Sequence, residues 1–175
     1  MSCEKCALFL LMIAVLGLTG CSRSVRNDST PAGQKDGDWV KRADVRLIAA
    51  ALKIDTPKME AAINSGADVN APVEGLGPAI VVASLGDNYS GVQLLLDKGA
   101  NIDAEDSEGY TALINASFSN NPKMVRLLLS KGANVNAPSN VMVNGKKAGF
   151  TALMIAKSKG RQEIVKLLTE AGAKE

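Results

Sequence analysis

Residues 105–137 read "EDSEGYTALINASFSNNPKMVRLLLSKGANVNA", and the fold turns on this stretch. Thr111 stands before a short run, Ala112-Leu113-Ile114 with Ala116, and its hydroxyl is suited to accept from the first unpaired N–H groups of a helix. Ala116 keeps that helix narrow enough for close packing. A second helix follows, with Leu127-Leu128-Leu129 at core-facing spacing. Gly132 ends it in a left-handed turn. The Ala-Asn-x-Asn stretch beyond it leads into a loop.

The same pattern recurs along the chain. Gly-Ala pairs fall at Gly66-Ala67, Gly99-Ala100, Gly132-Ala133 and Gly172-Ala173, at intervals of 99 − 66 = 33, 132 − 99 = 33 and 172 − 132 = 40 residues. Thr151-Ala152-Leu153 repeats the Thr111 triplet, and Pro78-Ala79-Ile80 is a degraded version. Alanines at 50, 83, 116 and 156 keep step, as do the leucine blocks at 94–96, 127–129 and 167–168. Asn70-Ala71, Asp103-Ala104 and Asn136-Ala137 close three of the units. A period of 33 with this signature resembles the ankyrin repeat family, over residues 44–175. The resemblance implies an all-α solenoid of about four helix-turn-helix units joined by β-hairpin loops. No unit buries its apolar face alone, so the stack shares one core. The first unit lacks the turn signature and reads as an N-terminal cap; the polar "RQEIVKLLTE" (161–170) suits the open far end. Ile48, Val81, Ile114 and Met154 replace the histidine usual in the family, and Gly91 replaces a branched aliphatic, which predicts looser packing in the second unit.

The surplus spacing lies before the fourth unit, in "NVMVNGKKAG" (140–149). Asn144-Gly145 is the strongest two-residue signal for a type I′ turn. It sits between Val141-Met142-Val143, with high strand propensity, and Lys146-Lys147-Ala148. One hairpin is therefore extended into a finger. Exposed aliphatic side chains there forfeit about 1.5–3 kcal/mol each relative to burial. Either a partner covers them, or Val141 and Val143 fold back on the fourth unit and leave Met142 free.

The resemblance implies protein binding through hairpin tips and the concave face of the first helices. Carried over by position, the tip residues are Glu74, Ser107, Glu108, Tyr110, Phe150 and the finger, including Lys146 and Lys147; the concave positions are Leu52, Leu85, Phe118 and Lys159. Tyr110, Phe118 and Phe150 are the first choice as anchors, since aromatic residues dominate interface energetics. Glu105, Asp106 and Glu108 read as a solvated turn rather than an acid–base pair or a cation site.

The N-terminal 40 residues are a different kind of sequence. "ALFLLMIAVLGL" (7–18) is too short to cross a bilayer comfortably but has the length of a signal-peptide apolar region. Leu18-Thr19-Gly20-Cys21 follows and resembles the bacterial lipobox, which implies acylation of Cys21 and removal of residues 1–20. The three cysteines, Cys3, Cys6 and Cys21, all fall in this region, so the mature chain would carry no free thiol. Residues 21–40 are polar and rich in Gly, Pro and Ser, and read as a lipidated tether; Trp39 marks its junction with the repeat domain, residues 41–175. The expected location is the periplasm, anchored to the outer membrane more readily than the inner because Ser22 follows the cysteine. Initiation at Met12 would leave a minor cytosolic form.

Composition narrows the function. Histidine is absent, which removes His-based triads and the commonest metal ligand. The net charge of +2 is scattered and aromatics make up 3%, so neither a phosphate-binding stripe nor a base-stacking platform is present. No nucleophile–base constellation, phosphate loop or metal-ligand cluster emerges, and the expectation is a non-enzyme without cofactor, nucleic acid or small-molecule substrate. Small ankyrin lipoproteins of this build resemble the immunity proteins that bacteria pair with secreted antibacterial effectors, lipases among them, as delivered by type VI secretion. An envelope scaffold that organises or protects a periplasmic enzyme is the alternative.

Overall fold

The computed structural model describes residues 42–174 except 144, 145 and 148; at 42, 142, 143, 146 and 147 it defines the backbone alone. The segments expected to be a signal sequence and a tether, with Cys21 and Trp39, therefore lie outside the described residues. Four helix pairs follow one another: α1 (Arg42–Leu52) with α2 (Thr56–Asn64), α3 (Ala79–Ala83) with α4 (Tyr89–Asp97), α5 (Ala112–Phe118) with α6 (Pro122–Ser130), and α7 (Ala152–Ser158) with α8 (Gln162–Glu170). Before α7 a hairpin pairs β1 (Met142–Val143) with β2 (Lys146–Lys147), antiparallel, with Met142 opposite Lys147 and Val143 opposite Lys146. The surplus residues thus form the extended finger. Among the described residues no helix is long and apolar enough to cross a membrane.

Each helix boundary has a local cause. Thr111 and Thr151 cap α5 and α7, accepting from the N–H groups of Ile114 and Met154. Asp55, Asn88 and Asn121 cap α2, α4 and α6 in the same way. At the other ends Gly66, Gly99, Gly132 and Gly172 all take positive φ, between 86° and 92°, which releases the chain from the second helix toward the next hairpin.

The core is continuous from α1 to α8. Leu47 and Ile48 begin it, Ile80, Leu95, Leu113, Ile114, Met124 and Leu128 carry it through the middle, and Ile164 and Leu168 end it. The first helices pack in sequence, α1 on α3, α3 on α5 and α5 on α7. Buried Ala83, Ala116 and Ala156 let them approach.

Two ladders of side-chain amides and carboxylates join neighbouring units. At the hairpins, Asn70 Oδ1 accepts from the Asn101 N–H at 2.7 Å, Asp103 Oδ1 from Asn134 at 2.8 Å, and Asn136 Oδ1 from Lys174 at 2.8 Å. Asp44, in α1, starts this ladder by accepting from the Asp68 N–H at 2.7 Å. At the helix–helix turns, Asn88 Nδ2 donates to the Ala51 carbonyl at 3.0 Å and Asn121 Nδ2 to Asp87 at 3.0 Å.

Gly91 does not loosen the second unit. A Cβ there would stand 2.4 Å from Asn88 Oδ1: the buried Asn88 amide fills the place a side chain would take, and holds both the Gly91 N–H and the previous unit. The two ends are also less sealed than the polar α8 suggests. Met154, in the last described helix pair, is 45% exposed where its counterpart Ile114 is buried. At the N-terminal end a groove of about 330 Å³ lies between α1 and α2, lined by Arg46, Ala49, Lys53 and Ala61.

Candidate protein-binding surface

The first helices present a common face, set by their spacing. Leu85 follows α3 and Phe118 ends α5 at the same repeat position, 118 − 85 = 33 residues apart, and they are 41% and 51% exposed. Lys159, just past α7, places its ammonium 5.0 Å from the centre of the Phe118 ring, a cation–π contact worth about 0.5–1 kcal/mol in such an open site. One turn back along each helix lie Val82, Asn115 and Ile155, all buried. Ile54, beyond α1, is exposed in the same region, near enough to touch a Cβ built on Gly86. Five large apolar side chains are exposed among the described residues, and Ile54, Leu85 and Phe118 are three of them. Leu52, also expected on this face, is half-buried.

The hairpin residues divide differently from the sequence expectation. Glu74, Ser107 and Glu108 are exposed at the tips. Tyr110 and Phe150 are not: both are half-buried and pack on the core. Their position explains this. Each is the last residue before a capping threonine, where the hairpin strand runs back onto the stack; Phe150 is pinned by Ser139, whose N–H donates to the Phe150 carbonyl at 2.9 Å and whose hydroxyl accepts from the Phe150 N–H at 3.1 Å. Phe118 lies at the opposite end of α5 from Tyr110, roughly 10 Å away at 1.5 Å per helical residue. The three aromatics therefore do not form one cluster. Phe118 alone stands out from the surface.

The base of the finger is fixed to the preceding hairpin. Asn140 Nδ2 donates to Glu105 Oε2 at 2.8 Å. The Asn140 backbone lies against Gly109, where φ is 75° and a Cβ would come within 2.2 Å of the Asn140 nitrogen; only glycine satisfies both the dihedral and the contact. Gly77 stands in the same relation to Asp106 one unit earlier. Val141 is half-buried. The side chains of Met142, Val143, Lys146 and Lys147, expected to meet a partner or to fold back, lie outside the described residues.

The acidic turn has a backbone role. Asp106 Oδ1 accepts from the N–H groups of Glu108 and Tyr110, each at 2.9 Å, and so holds the hairpin turn. Among the described residues no group of histidine, cysteine or carboxylate side chains is placed to hold a metal ion. On the outer side, burial and the Asp87 carboxylate 2.8 Å from its hydroxyl raise the pKa of Tyr89; the phenol also meets Asn121 Oδ1 at 3.0 Å, which ties α4 to the next turn. This cluster is structural.

Sequence reasoning missed two features. One is the pair of cross-unit ladders, whose only trace was the recurrence of Asn or Asp at 70, 103 and 136. The other is Asn115, a polar residue at a position occupied by Val82 and Ile155 in the neighbouring units.

No curated protein matches the chain. Residues 47–139 match the family model described as ankyrin repeats in three copies, and residues 148–174 match a single ankyrin repeat. The gap between the two matches holds the finger. Ankyrin repeats are protein–protein interaction modules, and the chain, matched over most of its length, belongs to the ankyrin repeat family.

Proposed function

We propose that this protein is a membrane-anchored periplasmic binding module that neutralises a secreted antibacterial effector, such as a lipase, by covering part of its surface. The single observation that carries the binding role is the exposed pair Leu85 and Phe118 on the first-helix face, with Lys159 stacked over the ring. Burying such side chains in an interface recovers about 1.5–3 kcal/mol each, and an aromatic flanked by a cation is a common anchor. The finger beside α7 would extend the same surface, with Lys146 and Lys147 supplying positive charge at its tip.

The location rests on the Leu18-Thr19-Gly20-Cys21 motif. A diacylated Cys21 on a tether would hold the domain within reach of a membrane, where a lipid-active effector must arrive. The anchor then raises the local concentration of the inhibitor at the point of attack. The immunity assignment follows from combining a binding module with that location, and is an argument by analogy.

A co-culture competition tests it. Cells lacking this protein should grow normally alone and lose viability only beside parental sister cells, and supply of the wild-type gene should restore survival. Equal survival beside armed and unarmed neighbours would remove the immunity role. A growth defect in monoculture would instead favour an envelope scaffold.

A further inference from the structure

The first-helix face contains one group that the packing does not use. Asn115 is only 7% exposed and lies between Val82 and Ile155, its counterparts in the units before and after, both apolar and buried. Its carboxamide makes no hydrogen bond to any described residue, although its backbone N–H donates to Thr111 in the ordinary helical way. Neither amide atom is sealed from solvent. The side chain is thus held by its neighbours with its polar end open to the surface. Phe118, three residues on, shares that side of α5, and Leu85, just past α3, holds the equivalent position in the preceding unit.

A carboxamide held open to water in an apolar row contributes less to stability than a valine that buries apolar surface there. The fold gains nothing from it, and a partner would. A carboxamide offers a donor and an acceptor side by side, the complement of the C=O and N–H of a peptide group. Extended chain has such groups to spare; the interior of a helix or a closed sheet does not.

We propose that Asn115 is the polar specificity determinant of this face, pairing with a main-chain peptide group of an extended polypeptide segment that lies across Leu85 and Phe118. This rests on the reading of that face as the protein-binding surface. Lys159 sits at the C-terminal side of the site and favours a segment with a carboxylate there. A partner that offers only apolar side chains would leave the amide unpaired on binding, so the site rejects it.

The test uses the full-length chain in detergent micelles to select binders from a displayed library of short random peptides. The tightest peptide is then synthesised with each backbone N–H methylated in turn, and each version is titrated against wild type, Asn115→Val, Leu85→Ala and Phe118→Ala. One methylation should weaken binding to wild type about tenfold or more and have no further effect on Asn115→Val, which should bind the unmodified peptide correspondingly less well. Asn115→Val should melt no lower than wild type, which shows that the loss is not unfolding. If Asn115→Val binds the unmodified peptide as tightly as wild type while Leu85→Ala and Phe118→Ala bind it weakly, the role of Asn115 is wrong and the surface stands. If the peptide ignores all three substitutions, the surface itself is misassigned.

Discussion

Ile54 has φ at +56° and more than half of its surface in solvent. A β-branched side chain in the left-handed region is strained, and the equivalent turns of the third and fourth units use Asn120 and Gly160 at positive φ. Ile54→Asn should relieve the strain and raise stability by about 1 kcal/mol, a rise of a few degrees in a thermal melt. No change or a fall would mean that the isoleucine packs usefully against the following unit. Such residue-scale details divide sharply in how legible they were. Thr111, Thr151 and the four Gly-Ala turns act on backbone within a few residues, so their roles follow from local spacing. Asn88 and Gly91 do not: the glycine is explained only by an amide that turns inward to reach Ala51 in the unit before. The exposure of Phe118 against the partial burial of Tyr110 was equally hidden, since it depends on which end of α5 meets the hairpin.

The hairpin ladder operates at the scale of elements. Asn70, Asp103 and Asn136 each hold a backbone N–H of the next unit, so neighbouring hairpins are tied together at the edge away from the helix–helix turns. The partners are 31 or 38 residues apart, which is why the recurrence was visible in the sequence and its purpose was not. Asp103→Ala should cost about 1 kcal/mol and weaken coupling between the second and third units. Hydrogen exchange would report it as faster exchange at Asn134 with less change in α1. The cap of α2 has a pH signature. The side chain and backbone of Lys58 hold the Asp55 carboxyl below its ordinary pKa, so its contribution is present above the unfolded carboxylate pKa and is lost as pH falls through the lower, folded value. Asp55→Ala should therefore melt below wild type at neutral pH, with the gap closing in acid. A gap that stays constant would show that the charge is irrelevant to the cap.

Across the described residues, four helix pairs share one core and leave a row of apolar side chains uncovered on the first-helix face, with a finger before the last pair. The stack and its extended hairpin were readable because a 33-residue period and its single interruption are global features of the sequence. The surface was readable only as a set of candidate positions. Leu85 and Phe118 stand out on it; Tyr110 and Phe150 turn inward; Asn115 was not among them. The central claim is that a second protein covers this face, and in-cell photocrosslinking addresses it most directly. A photoreactive residue at Phe118 should give a light-dependent adduct with one extracytoplasmic protein, while the same residue at Lys123, exposed on α6, should give none. Equal labelling at both positions, or no adduct at Phe118, would contradict the account.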